Sequence, residues 1–194
     1  MKTIETILKT TALYSEDESK RFILSKAWDD SKRKLCIIML APSKAAGIAL
    51  DSTTQLVLNN CDRLGYGSVD ILNLFATLND FDLTEAETAD FENLKVILAS
   101  AETADTIVYA AGVGKAKNET FQMRQKQVLT ALKPYEAKLY CISNEDGTAR
   151  LRHPLSPAVR TWTLSKLSIA EVLPEVAAKA IDATPQKKKK PSAK

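Results

Sequence analysis

Four short runs rich in β-branched and other apolar residues, at positions 35–40, 69–74, 106–110 and 138–142, are separated by stretches of helical periodicity. This alternation constrains the fold more than any other feature. Continuous apolar runs of that length read as strands buried on both faces. Between them, 51–64 carries apolar residues at 56, 57, 61 and 64 and stops at Gly65; 84–101 repeats them at 91, 94, 97 and 98; and 119–132 ends before Pro134. Strand and helix in alternation predict a three-layer α/β/α sandwich with a central, mostly parallel four-stranded sheet. Residues 21–28 alternate enough to add an N-terminal edge strand, turned into the first core strand by Asp29-Asp30-Ser31-Lys32. Residues 163–180 predict a late helix that Pro174 interrupts or restarts.

With 194 residues and 45% apolar content, the chain suffices for one buried core. The expected organisation is a single domain over 1–183 and a disordered lysine-rich tail over 184–194. The net charge of +3 is misleading: without the tail lysines at 187–190 and 194, residues 1–184 sum to −2. Nucleic-acid contacts would therefore require a local cationic patch. No apolar run reaches the roughly 20 residues of a membrane span, and the polar start lacks a secretory core, so the expectation is a cytoplasmic protein without membrane contact. Cys36, Cys61 and Cys141 lie far apart in apolar segments, which argues for reduced core residues rather than disulfides or a zinc knuckle. No cluster has metal-ligand spacing, and no cofactor is expected.

Ligands of open parallel sheets bind beyond the carboxyl ends of the strands, so the strand exits hold the candidate chemistry. After the first core strand come Ala41, Pro42, Ser43 and Lys44, then Asp51-Ser52-Thr53. The second contains Asn73, followed by Phe75-Ala76. The third leads to Gly112-Val113-Gly114-Lys115, which lacks the length and the Ser/Thr of a P-loop and reads as a loop near the site. The fourth leads to Arg150-Leu151-Arg152-His153-Pro154-Leu155-Ser156.

The segment Met39-Leu40-Ala41-Pro42-Ser43, the Asp51-Ser52-Thr53 after it, Asn73-Leu74-Phe75-Ala76 and His153-Pro154-Leu155 resemble an uncharacterised family of bacterial and phage proteins, the domain of unknown function numbered 1643, over roughly residues 12–160. The same landmarks, in the same order, are similar to the uracil-DNA glycosylase superfamily. That resemblance implies a Pro-containing loop at Leu40-Ala41-Pro42-Ser43, a base-reading Asn73, and a minor-groove loop at His153-Pro154-Leu155-Ser156. The chain departs from the superfamily's best-known members at Ala41, where they carry an acid or Asn. Branches with Ala there place an Asp farther along, which makes Asp51 the candidate.

Glycosidic hydrolysis must stabilise a cationic sugar, orient a water and hold an anionic leaving base. By this resemblance Asp51 serves the first two needs and His153, the single histidine, donates to the departing base. Asn73 reads a pyrimidine edge and Phe75 stacks on the extruded ring, beside the substrate-binding Ala41, Pro42 and Ser43. Lys44, Arg150, Arg152, Ser156 and Arg160 contact DNA, and Leu155 fills the gap left by the flipped nucleotide. The expected activity is a monomeric, monofunctional DNA glycosylase acting on uracil or a modified base, in repair or antiviral defence, on single- or double-stranded DNA. Alternatives are a non-catalytic nucleotide or nucleic-acid binding module, or an enzyme of free nucleotides. Asp51 before Ser52-Thr53-Thr54 is also a good helix cap, and Phe75, Tyr109 and Lys44 have ordinary readings as core aromatics and a surface lysine.

Overall fold

A computed structural model describes residues 1–173 except 44–46, 79–81, 84–85, 87–89, 114 and 116. The lysine-rich tail and the second half of the expected late helix fall outside the described residues. The strands are β1 (Lys9–Tyr14), β2 (Arg21–Ala27), β3 (Arg33–Met39), β4 (Tyr66–Asn73), β5 (Thr106–Tyr109), β6 (Leu139–Ser143) and β7 (Thr163–Lys166). The helices are α1 (Ser52–Arg63), α2 (Phe91–Thr103), α3 (Glu119–Ala131) and the single turn α4 (Ile169–Val172).

The fold is mixed α/β, with a seven-stranded sheet in the order β1-β2-β4-β3-β5-β6-β7. This corrects the expectation of four core strands plus one edge strand. The four runs do form the sheet's centre and are mutually parallel, but antiparallel strands lengthen it on both sides. The strand at 21–27 is not an edge, because β1 pairs along it. Lys9–Tyr14 reads poorly as a strand from sequence since most of its side chains are exposed; backbone pairing with β2 makes it one.

At the other edge, β7 replaces the start of the expected helix at 163–180. Ser143 Oγ donates to Thr163 O at 3.1 Å and pairs with Ser165 Oγ at 2.7 Å, and Leu164 packs into one core cluster while Leu167 and Ile169 enter the other. Residues on opposite faces of a sheet suit an extended chain, not one helical stripe. The helix predicted over 84–101 occupies Phe91–Thr103, with Asp90 accepting from the Asn93 N–H at 3.0 Å as its cap.

Strand β3 shows why the core has two halves. Leu35, Ile37 and Met39 face a cluster with Val57 and Cys61 of α1, whereas Cys36 and Ile38 face a cluster with Ile97 of α2 and Phe121 and Val128 of α3. The sheet is thus covered on both faces. The crossover β3-α1-β4 runs one way, and β4-α2-β5-α3-β6 steps back past β3 and continues the other way. Right-handed crossovers of opposite direction put their helices on opposite faces. The connections diverge at the carboxyl ends of β3 and β5 and leave a crevice there.

Polar side chains pin β4, which pairs with β3 on the side away from β5. Buried Asp70, midway along β4, accepts from Ser25 Oγ at 2.6 Å and Ser100 Oγ at 2.7 Å and pairs with Lys34 Nζ at 2.6 Å. At the strand's end, Asn93 Nδ2 donates to Asn73 O at 3.0 Å and Leu74 O at 3.1 Å, and Arg124 Nε donates to Leu74 O at 2.7 Å. Asn93→Leu removes the donor shared by two buried carbonyls. We expect a stability loss of about 1–3 kcal/mol in urea unfolding, an outcome that an unchanged midpoint would refute.

Candidate functional site

The chain after β3 is held from below by two cations on β2. Arg21 Nη1 donates to Ser43 O at 2.9 Å, and Lys26 Nζ donates to Gly47 O at 2.7 Å and Thr10 Oγ1 at 2.9 Å. Both side chains are buried. Burial lowers the pKa of each; for Lys26 the charge of Arg21 adds to the effect, while for Arg21 the neighbouring Tyr14 and Asp51 oppose it. Lys44 lies outside the described residues.

Asp51 closes this segment as the cap of α1. Its Oδ1 accepts from the Thr54 N–H at 2.6 Å, and its Oδ2 accepts from Ser43 Oγ. Burial pushes the carboxyl up, but the Ser43 and Thr54 hydrogen bonds and the Arg21 charge outweigh it and hold the group below the ordinary carboxylate value. Asp51 is therefore ionised at neutral pH. A carboxylate offers about four lone-pair sites, so capping leaves room for a water.

His153 sits in a tight turn after β6. Its Nδ1 accepts from the Leu155 N–H at 3.2 Å, and its carbonyl accepts from the Ser156 N–H at 2.9 Å. An accepting Nδ1 places the proton of the neutral ring on Nε2. Burial lowers the histidine pKa, opposed by the charge of Asp51. Gly112, at the exit of β5, packs against this turn: it has φ +78°, and a Cβ there would stand 3.4 Å from His153 Cβ.

Asp51 and His153 line one small cavity of about 50 Å³, with Ala41, Pro42, Ser43 and Arg21. Beside it lies the crevice between β3 and β5, about 430 Å³, lined among others by Ala41, Gly112, Lys115, Arg152, His153 and Ser156. Ala41 and His153 belong to both. Asn73 is 1% exposed, pairs with Met39 across the sheet and follows Ile71 on the same face of β4. Met39 and Ile71 wall the small cavity. The Asn73 Nδ2 is buried without a hydrogen-bond partner among the described residues.

The remaining sequence candidates scatter. Phe75 is packed in the core with Leu74 and Tyr109 and lines neither cavity. Arg150 turns away, donating to Lys166 O at 2.7 Å and pairing with Glu171 at 3.2 Å. Arg160 borders a separate depression with Asn144 and Asp146. Leu155 is exposed beside the crevice. Arg21 was not among the candidates, because a charged residue opening a strand carries no signal until the fold brings it to the site; Gly112 and Lys115, read from the sequence as part of a loop near the site, line the crevice. Among the described residues, no group of three or more His, Cys, Asp or Glu side chains is placed to hold a metal, and no helix is long and apolar enough to cross a membrane.

The chain matches the family described as Protein of unknown function (DUF1643) over residues 21–155. It belongs to that family. No curated protein and no solved structure matches it. The DUF1643 span begins at Arg21 and ends at Leu155, so it encloses both the cation beneath Ser43 and the His153 turn. Strands β1 and β7 lie outside it.

Two outcomes follow from the packing of the His153 turn. Gly112→Ala puts a side chain at φ +78° in ordinary contact with His153, and the backbone strain should destabilise the fold by about 1–2 kcal/mol; unchanged thermal stability would contradict that strain. A histidine whose folded pKa is depressed contributes stability that is complete above its unfolded value of 6.5 and is lost as pH falls through and below it. Wild type should therefore lose more stability than His153→Gln when urea unfolding is moved from about pH 7.5 to about pH 5.5.

Proposed function

We propose that this chain is a DNA glycosylase that hydrolyses the N-glycosidic bond of a flipped pyrimidine, in the manner of the uracil-DNA glycosylase superfamily. The observation that carries the reading is that an ionised Asp51 and a neutral, Nε2-protonated His153 line one cavity at the switch point of the sheet. An anion beside a neutral N–H donor suits a base and an electrophilic hydrogen-bond donor.

In this reading a water oxygen bonds to the sugar C1′ as the C1′–N bond breaks, with the bonding electrons leaving on the base. Asp51 takes the water's proton and faces the cationic sugar. His153 Nε2–H hydrogen-bonds the base oxygen and stabilises the anionic leaving base, which takes its proton from solvent after the bond has broken. Asn73 offers its unpartnered amide N–H to a pyrimidine carbonyl. Exposed Leu155 fills the gap left in the duplex. The substrate is uracil or a modified base in single- or double-stranded DNA, met by a cytoplasmic monomer acting in repair or antiviral defence.

One observation favours a second reading, a binding module without turnover. Both Asp51 oxygens already accept hydrogen bonds from the protein, and Ala41 brings no acid. Asp51→Asn separates the two, because Asn caps a helix as well as Asp but cannot take a proton. We expect the full chain to create alkali-labile abasic sites in one of three substrates: uracil-containing oligonucleotide, plain DNA, or phage DNA with modified bases. Asp51→Asn should lower that rate by about 10²–10⁴-fold. DNA binding with no abasic sites on any substrate would favour the binding module.

A further inference from the structure

The proposed chemistry leaves Arg152 without a role. Its backbone N–H donates to Ile142 O at 3.4 Å, and its side chain lines the crevice. Its Nε is buried with no hydrogen-bond partner among the described residues. A guanidinium carries five donors and retains its charge at any physiological pH, so a sequestered, unmet N–H there calls for an acceptor. Arg150, two positions earlier, shows the contrast, since its guanidinium is satisfied by Glu171 and Lys166 O.

The crevice lining also contains Lys115, an exposed residue of the loop after β5, and Ser156, but no Asp or Glu. His153, the remaining titratable group there, has its pKa lowered by burial and adds a neutral N–H donor. Two cations and two neutral donors thus converge on one recess whose described lining holds no counter-charge. A planar guanidinium fork and a point-charge ammonium in one recess match a group with several anionic oxygens spread in three dimensions. A phosphate, with more oxygens and up to two negative charges, engages both cations more fully than a carboxylate does.

We propose that Arg152 and Lys115 form a phosphate subsite that grips a phosphate of the substrate nucleotide next to the cavity holding Asp51 and His153. This deepens the glycosylase reading by naming the charged group that anchors the substrate, and it rests on that reading for the placement of the base. The phosphate belongs to a nucleic-acid strand or to a free nucleotide.

The test measures binding apart from turnover. The full chain, Arg152→Gln, Lys115→Gln and, as a control, Lys133→Gln, an exposed lysine before β6 and away from the crevice, are titrated with a labelled single-stranded oligonucleotide containing one uracil, at several salt concentrations. The same proteins are then titrated calorimetrically with deoxyuridine monophosphate and with deoxyuridine. Each crevice substitution should weaken oligonucleotide binding by about tenfold and make the salt dependence shallower by about 0.7 in log–log slope. Lys133→Gln should change neither. Monophosphate binding that falls with Arg152→Gln, with deoxyuridine bound more weakly still, assigns the site to free nucleotides; response confined to the oligonucleotide assigns it to a strand. Lys115 is exposed, so its substitution reports even if Arg152→Gln fails to fold. No binding of either probe, or unchanged affinity and slope in a folded Lys115→Gln, overturns the subsite. Absent abasic sites with the Arg152 and Lys115 dependence intact would sink the glycosylase reading and leave the subsite standing.

Discussion

Strand β3 is buried on both faces, and its side chains alternate between two core clusters. That alternation decides where the helices go. With α1 on one face and α2 and α3 on the other, the connections at the ends of β3 and β5 run apart, and no backbone fills the gap between them. The crevice is therefore a product of core packing rather than of any special loop. The residues that line it are simply those that leave the parallel strands last.

Electrostatics then differentiates groups that share this end of the sheet. Asp51 and His153 both have lowered pKa values, for different reasons. Hydrogen bonds from Ser43 and Thr54 and the Arg21 charge overcome burial at Asp51, whereas burial dominates at His153 against the opposing charge of Asp51. At neutral pH the pair is one anion and one neutral donor. Arg21 has a central place in this arrangement: it bonds the carbonyl of Ser43, whose hydroxyl bonds Asp51, and its charge favours the carboxylate. An arginine on β2 thereby tunes an acid at the N-terminus of α1.

Buried polar groups without partners are the costly part of the design. An unsatisfied buried donor costs about 1–3 kcal/mol, and the described residues keep Asn73 Nδ2 and Arg152 Nε in that state at the same end of the sheet. Buried Asp70 is fully partnered, whereas Trp28 Nε1, Trp162 Nε1 and Asn93 Oδ1 also lack partners among the described residues. Of the two donors at this end of the sheet, Arg152 Nε belongs to a side chain that lines the crevice, where an acceptor from outside can reach it.

The sequence by itself determined the parallel centre of the sheet, the three long helices and the strand exits at Ala41, Asn73 and His153. Apolar runs and helical periodicity are local properties, and burial on two faces leaves a signature in consecutive residues. It also carried the DUF1643 resemblance. Tertiary structure alone decided the two flanking strands, since Lys9–Tyr14 and Thr163–Lys166 are extended because a neighbour offers hydrogen bonds, not because of their own pattern. It likewise decided which polar residues meet. Phe75 went to the core and Arg150 to Glu171, while Arg21 came to the Asp51 cavity from a distant segment of the chain. Such convergence depends on strand order and crossover direction, which no local stretch of residues encodes.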